Sequence, residues 1–302
     1  GRVAVEYDID EDTMIYASFT RGFKPGGSNL TYGYTEAEDA AMGNAIAPPL
    51  VLPIFDSESI AAFEAGLKTD LIDGRLRANI AAFFYEYEDL QFQATDPDVF
   101  RGGVANIPEA EMKGVELELI GIISDSITFD LRAAHLDSEV TKNFDTLDNV
   151  KANSTIPAPP WCSPVGYLGF CYEDLRYQNR ENIKGNELAK SPDLTASASL
   201  RYQTNLSSGN SLFGSIDYVH RGEFQQRVIN HPLIDSVDDY NVLNLTAGID
   251  FANGAWGFDL MVFNATNEDG INSAMTDVFG VNATGLEFIP PRQIMGRISY
   301  TF

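Results

Sequence analysis

The chain is poor in several residue types and patterns, and each scarcity argues against a class of protein. Only 2 Cys and 3 His occur among 302 residues, which leaves few of the usual ligands for a zinc site. Acidic residues outnumber basic ones by 44 to 20, for a formal net charge of −24, and repulsion between like charges argues against nucleic acid as a partner. No apolar run approaches the roughly 18–20 residues of a transmembrane helix, and the longest, 45–55, contains three prolines.

Sequence signatures of catalysis are also missing. The chain has no Gly-X-Ser-X-Gly, no phosphate-binding Walker A loop and no His-Glu-X-X-His. Glu116 and Glu118 could imitate an acid/base pair, but carboxylates at alternate positions of a strand are common in any polar lumen. We therefore expect a protein that is not an enzyme and that holds no metal and no cofactor.

What the chain does contain is alternation of apolar and polar residues with the period of a β-strand. From Leu194 to Tyr202 every second residue is apolar, and the residues between them are Thr, Ser or Arg. Aromatic residues reach 11%, which also favours strands. The alternation predicts about 11 strands, near residues 2–8, 13–21, 57–70, 74–92, 104–122, 126–138, 193–204, 211–222, 240–251, 255–266 and 291–302.

The connections between these strands alternate between short and long. Short ones, such as 8–12 and 71–74, are rich in turn-forming residues, whereas long ones include 24–56 and 139–192. Outer-membrane barrels show this alternation, with short periplasmic turns and long extracellular loops, and a strand of roughly 10 tilted residues spans a bilayer. We therefore predict an all-β fold, an antiparallel transmembrane β-barrel. The alternative is a soluble all-β repeat protein.

The odd strand count bears on how such a barrel would close. About 11 antiparallel strands cannot close on themselves, because the first and last run in the same direction. Unpaired backbone groups at two open edges would be very costly in lipid. Either one strand is miscounted or further strands lie outside this sequence, and we expect the second.

Several motifs, in their order and spacing, resemble the C-terminal barrel of TonB-dependent receptors along nearly the whole chain. They are Gly22-Phe-Lys-Pro-Gly26, Asn106 followed by Gly114-Val-Glu116, Leu188-Ala-Lys-Ser-Pro192, Asn264-Ala-Thr-Asn267 and a last strand that opens at Pro291-Arg292. The resemblance implies a bacterial outer-membrane protein in which residues 1–302 form about half of a 22-stranded barrel. It also implies a plug, N-terminal strands and a segment that contacts the TonB complex, none of them in this sequence.

The last predicted strand ends in alternate apolar residues, Ile298, Tyr300 and Phe302. The resemblance implies that they form a signal read by the barrel-assembly machinery. The residues alone fit an aromatic girdle at the interface with outer-membrane lipid, and both roles can hold together.

Cys162 and Cys171 are the only cysteines and lie in the 139–192 connection. Their even number, close spacing and exported location favour a disulfide, which would stabilise the connection by roughly 2–3 kcal/mol. Free thiols and a metal pair are the alternatives, and no histidine lies near either cysteine in the sequence to support a metal.

The long connections also carry aromatic and cationic residues of the kind that capture an aromatic or anionic ligand. The alternative is that these residues pack the connections onto themselves. The candidate ligand-binding residues are Trp161, Tyr167, Tyr172, Arg176, Arg180, Arg227 and His231.

The resemblance implies TonB-energised import of a scarce ligand. We expect an iron–siderophore-type complex, because aromatic rings stack on flat chelator rings and arginines suit anionic oxygens. A glycan or cobalamin would also fit aromatic loops, whereas haem fits less well because histidine is scarce. The rival functions are a passive porin or structural barrel, and an outer-membrane hydrolase.

Overall fold

The computed structural model describes residues 1–29, 51–96, 101–148, 180–252, 254–276 and 284–301. No helix in these ranges is long and apolar enough to cross a membrane. The strands are β1 (Arg2–Asp8), β2 (Thr13–Lys24), β3 (Gly27–Ser28), β4 (Ile54–Phe55), β5 (Glu58–Leu71), β6 (Leu76–Asp96), β7 (Arg101–Ser124), β8 (Ile127–Val140), β9 (Asp145–Leu147), β10 (Arg180–Asn182), β11 (Leu194–Asn205), β12 (Ser211–Arg221), β13 (Phe224–Gln225), β14 (Ser236–Val237), β15 (Tyr240–Asp250), β16 (Trp256–Phe263), β17 (Ile271–Thr276), β18 (Thr284–Phe288) and β19 (Gln293–Tyr300).

One sheet dominates the part of the chain that the structure describes. It has 11 strands in the order β1-β2-β5-β6-β7-β8-β11-β12-β15-β16-β19, so long strands that follow one another in the chain are neighbours in space. All the neighbouring pairs are antiparallel. The predicted all-β class, the strand number and the antiparallel order are confirmed.

Two details differ from the sequence-based expectation. The hairpin of β6 and β7 is longer than predicted, with strands of 21 and 24 residues. The long connections also contain structure, namely the two-stranded ladders β3–β4, β9–β10, β13–β14 and β17–β18. These ladders are too short for an alternation to be visible in the sequence.

The register gives the sheet one polar and one apolar face. Cross-strand pairs place Glu118 beside Asn79 and Arg132, whereas Leu117 lies between Ile80 and Ala133. Because side chains alternate along each strand, this separation continues across the sheet. We call the two sides the polar face and the apolar face. In an outer-membrane barrel the polar face lines the lumen and the apolar face meets lipid.

The main buried core lies at the end of the sheet from which the long connections emerge. Its buried members come from β7, β8 and two connections, and they are Ile107, Ala110, Val140, Ile183, Leu188 and Val228. Ala110 and Val140 form a cross-strand pair on the polar face, so the connections fold over that face. We call residues 141–148, 180–193 and 222–239 the ledge.

Candidate functional site

The ledge is held to the sheet by apolar packing. Val140, Ala110 and Ile183 are completely buried, and Ile107 is 1% exposed. Phe144 packs against the same core, together with Tyr87 and Leu90 of β6. Full burial of one aliphatic side chain contributes about 1.5–3 kcal/mol. The packing therefore fixes the described part of the β8–β11 connection over the polar face.

Asparagine side chains join the two connections of the ledge. The Asn186 amide donates to the carbonyls of Val228 and Ile229 at 3.0 and 2.8 Å. The Asn230 side chain accepts from the Glu187 backbone N–H at 2.7 Å and donates to the Glu187 carbonyl at 3.1 Å. Asn230 itself has a φ of 52°, a backbone conformation that asparagine tolerates well. The two connections therefore form one hydrogen-bonded layer.

A buried ionic network lies within this layer. Arg227 Nε lies 2.6 Å from Asp235 Oδ1, and Arg227 Nη2 lies 3.6 Å from Asp148 Oδ1. The other Asp235 oxygen accepts from the His231 backbone N–H at 2.7 Å, and His231 Nε2 lies 3.8 Å from Asp148 Oδ2. Both aspartates are fully buried. A buried carboxylate needs a partner cation, so Arg227 stabilises the ledge from inside.

A second connection is also tied to the sheet. The Asn106 amide donates to the carbonyls of Asp56 and Asp89 at 3.1 and 2.7 Å, and its oxygen accepts from the Asp56 N–H at 2.9 Å. Asn29 bonds in the same way to Leu52 and Val104. The β2–β5 connection is thereby docked onto the β6–β7 hairpin.

The structure describes the side chains of two of the candidate ligand-binding residues, Arg227 and His231, and brings them together in the ledge. Arg180 begins β10, where its backbone pairs with Leu147. The remaining candidates lie outside the described residues: Trp161, Tyr167, Tyr172 and Arg176. Cys162 and Cys171 also lie outside them, so their disulfide stays a prediction.

The sequence analysis missed the groups that hold the ledge together. Asp148, Asp235, Asn186 and Asn230 had no recognisable signal, because acidic and amide residues are abundant in every long connection. Only Asn106 carried a hint, since it belongs to a motif that resembles the receptor family. In the structure this asparagine is a docking residue for the neighbouring connection.

One carboxyl on the ledge has a perturbed pKa. Burial raises the pKa of the Glu187 carboxyl above its usual range, and the nearby carboxylates of Glu223, Asp193 and Asp137 raise it further. The ledge surface is therefore acidic at this corner, and protonation of Glu187 relieves part of the repulsion.

The final strand presents its alternate apolar residues on the apolar face. Ile298 and Tyr300 alternate there along β19, and the Tyr300 ring lies 4.6 Å from the Trp256 ring between centroids. Aromatic residues at such positions are typical of the interfacial girdle of a barrel. Phe302 lies outside the described residues, and the assembly role of the three stays a prediction.

A comparison with known families identifies this arrangement. A family model described as "TonB dependent receptor-like, beta-barrel" matches residues 1–267. The chain belongs to this family. TonB-dependent receptors are β-barrel proteins of the bacterial outer membrane, which gives the localisation and assigns the polar face to the lumen.

Curated relatives match about half of the chain. The probable TonB-dependent siderophore receptor PiuA of Acinetobacter baumannii is 30% identical over 142 residues, 47% of this chain and 17% of that protein. The metal-pseudopaline receptor CntO of Pseudomonas aeruginosa is 29% identical over 143 residues, again 47% of this chain and 17% of that protein. The matched segment thus spans about a sixth of the length of these relatives.

Solved structures share the fold over the whole chain. The ferric yersiniabactin receptor FyuA of Yersinia pestis superimposes with a TM-score of 0.67 at 17% identity, covering 98% of this chain and 36% of that one. The siderophore receptor PiuA of Acinetobacter baumannii gives a TM-score of 0.66 at 19% identity, with 99% and 35% covered. Identities this low establish the fold alone.

Proposed function

We propose that the receptor to which this chain belongs imports a chelated metal of the siderophore type across the outer membrane. The observation that carries the proposal is the identity of about 30% to PiuA and CntO, which are named for a siderophore and for a metal chelate. Membership of the TonB-dependent family supports energised uptake over passive diffusion.

The structure suggests how the barrel part would serve this function. The docked connections fold over the polar face at the end of the sheet from which the long connections emerge, and Arg227 and His231 lie in the buried network within them. A ligand would reach the connections first and then the plug, which TonB rearranges with energy from the inner-membrane proton gradient. The plug, the TonB contact, the barrel-assembly machinery and the surrounding lipid are partners that this proposal adds.

The rival functions find less support. A passive porin would need no energised partner, yet the family match and the named relatives are TonB-dependent receptors. An outer-membrane hydrolase would need a nucleophile and base near one rim, and the relatives are receptors rather than enzymes.

Ligand binding by the full-length receptor tests the proposal. Isothermal titration of a ferric siderophore, cobalamin and an oligosaccharide should give tight binding of the ferric complex alone, and iron starvation should raise expression of the receptor. Tight oligosaccharide binding without an iron response would contradict the siderophore assignment and leave TonB-dependent transport intact.

A further inference from the structure

A recess opens in the polar face below the ledge. It has a volume of about 360 Å³ and spans the strands β8, β11, β12 and β15. The side chains that face it from the polar side are Arg132, Ala134, Thr195, Ser197, Val219, Arg221 and Tyr240. Small residues on β8 and β11 form its floor, whereas cationic and aromatic groups stand at its edges.

Arg221 has an orientation fixed by aromatic rings. Its guanidinium carbon lies 4.0 Å from the centre of the Phe224 ring and 5.9 Å from that of Tyr240. Both rings belong to buried residues, since Phe224 is 1% and Tyr240 9% exposed. Stacking of this kind holds the planar group in place before a ligand arrives, which lowers the entropic cost of binding.

The hydrogen-bonding capacity of Arg221 is only partly used. Its Nη1 donates to the Asn272 carbonyl at 2.9 Å. Among the described residues, no carboxylate forms an ion pair with Arg221, and its Nε and Nη2 donate no hydrogen bond. A guanidinium with free donors on one edge is suited to a planar anionic group such as a carboxylate.

Arg132 and Asp217, two other charged residues of the polar face, have partners within the protein. Arg132 pairs with Glu118 and Asp130, and the Asp217 oxygens accept from Ser199 and Ser215 at 2.6 and 2.7 Å. Arg221 differs from Arg132 because, among the described residues, no carboxylate pairs with its charge, although the chain has a net charge of −24. The local charge can therefore attract an anion that the rest of the chain repels.

Two hydroxyl residues lie near Arg221 in the register of β11 and β12. Thr195 is the direct cross-strand neighbour of Arg221, and Ser197 follows on the same face of β11. Directly opposed residues have Cβ atoms roughly 4.5–5.5 Å apart, so one small group can reach both side chains. Hydroxyl donors beside a guanidinium complete a site for anionic oxygens.

We propose that this recess is an anion-binding subsite on the lumen wall, where Arg221, assisted by Thr195, binds the anionic oxygens of a chelator. The chemical class is a carboxylate or catecholate oxygen of a chelate that carries net negative charge. The site lies below the ledge, so it would hold a ligand that has already passed the ledge. This inference rests on the proposed function, since it assigns one contact of the imported complex.

The test compares substitutions in the full-length receptor. The probes are an anionic ferric catecholate, ferric citrate and a cationic ferric hydroxamate complex. Arg221→Gln should weaken binding of the two anionic probes by about tenfold or more, because a charge-assisted hydrogen bond is lost. Binding of the cationic probe should change by less than about twofold, since that probe brings no excess negative charge to the guanidinium.

Two further variants control for folding and for general charge. Thr195→Val keeps the shape of the side chain and should weaken the anionic probes by about threefold to tenfold. Arg201→Gln removes a polar-face arginine of β11 that lies outside the recess, opposite Ser215, and should leave all affinities unchanged. Retention of the heat-modifiable barrel shows that each variant is folded.

The outcomes separate this inference from the proposed function. Unchanged anion binding in Arg221→Gln, or an equal loss of binding in Arg201→Gln, would contradict anion binding at the recess. Neither result would contradict siderophore uptake. Failure of the wild-type receptor to bind any ferric probe would contradict the proposed function. In that case, nickel-loaded citrate and metal-free citrate test whether the recess binds anions. Binding that requires Arg221 supports the anion-binding subsite, and absence of binding contradicts it.

Discussion

At the scale of single residues, two buried aspartates and their arginine partner stabilise the ledge. Asp148 and Asp235 are fully buried, and both lie close to the Arg227 guanidinium. Arg227 is therefore held by the protein itself, which favours a structural role over direct ligand capture. A ligand that recruited Arg227 would have to compete with these two carboxylates.

Arg227→Met should release the ledge, because it leaves two buried carboxylates without their cation. Breaking a buried pair in this way costs about 3 kcal/mol or more, so backbone amides of residues 223–239 should exchange on the order of a hundredfold faster with deuterium. The matched control is Lys142→Met, which removes an exposed pair with Glu109 at the edge of the ledge. Equal exchange in the two variants would contradict the role of the network.

We expect Glu187 to make docking of the ledge depend on pH. Burial raises the pKa of its carboxyl in the docked state, so docking is strongest below the ordinary pKa of glutamate and weakens as pH rises through the raised value. Glu187→Gln should slow hydrogen exchange of residues 183–190 at neutral pH and change it little in acid. The control is Lys184→Gln, on an exposed residue of the same turn. Slower exchange at both pH values would show that the effect is not ionisation of Glu187.

At the scale of elements, the long connections are docked by amide side chains. Asn106→Ala should loosen residues 51–57, because the Asp56 N–H loses its acceptor and the Asp56 carbonyl keeps only the Gln91 amide as a donor on the hairpin. The expected loss is about 1–3 kcal/mol, seen as faster hydrogen exchange in that segment. Asn205→Ala at the β11–β12 turn is the control. Unaltered exchange in Asn106→Ala would mean that the connection is held by other contacts.

The strands could be predicted from the sequence because their signal is local. The alternation from Leu194 to Tyr202 predicts the direction of each side chain. The structure places the apolar residues of this segment on the apolar face. The ends of β6 and β7 were missed, because residues 93–96 and 101–103 carry no regular alternation. Their pairing depends on the neighbouring strand and on the docked β2–β5 connection.

The ledge could not be predicted, because its partners are distant in the sequence. Arg227 stood out as a cation in a long connection, but nothing in the sequence indicates that Asp148 lies beside it. Arg221 was overlooked because it ends a strand, and its environment of Phe224 and Tyr240 exists only once β12, β13 and β15 have assembled. The surroundings of Arg227 and of Arg221 are both formed by contacts between separate elements.

At the scale of the whole molecule, the alternation of short and long connections fixes the orientation of the barrel. A cysteine at Lys184 in the ledge should react with an impermeant maleimide on intact cells, whereas one at Ser208 in the β11–β12 turn should react only after lysis. Both are tested in a background with Cys162 and Cys171 replaced by serine. Labelling of Ser208→Cys on intact cells would contradict the assigned orientation.

The end of the last strand is expected to govern assembly of the whole barrel. Deletion of Phe302 should lower the amount of heat-modifiable receptor in the outer membrane severalfold, because the alternate apolar pattern of Ile298 and Tyr300 loses its third residue. Phe302→Tyr keeps an aromatic ring and is the control. Wild-type levels of folded receptor after the deletion would speak against an assembly signal.

The ledge also constrains the order in which the molecule can fold. The ledge brings Ile107 and Val228 into one core, and this contact closes a loop of more than a hundred residues. Closing such a loop costs conformational entropy when the intervening strands have not yet paired. Formation of the ledge is therefore a late event that requires β7, β8, β11 and β12 to be in register. A receptor whose strands are misaligned would leave Ile183 and Leu188 without their core and expose the connections to proteases. Resistance of the ledge to an added protease therefore reports that the sheet beneath it has formed in register.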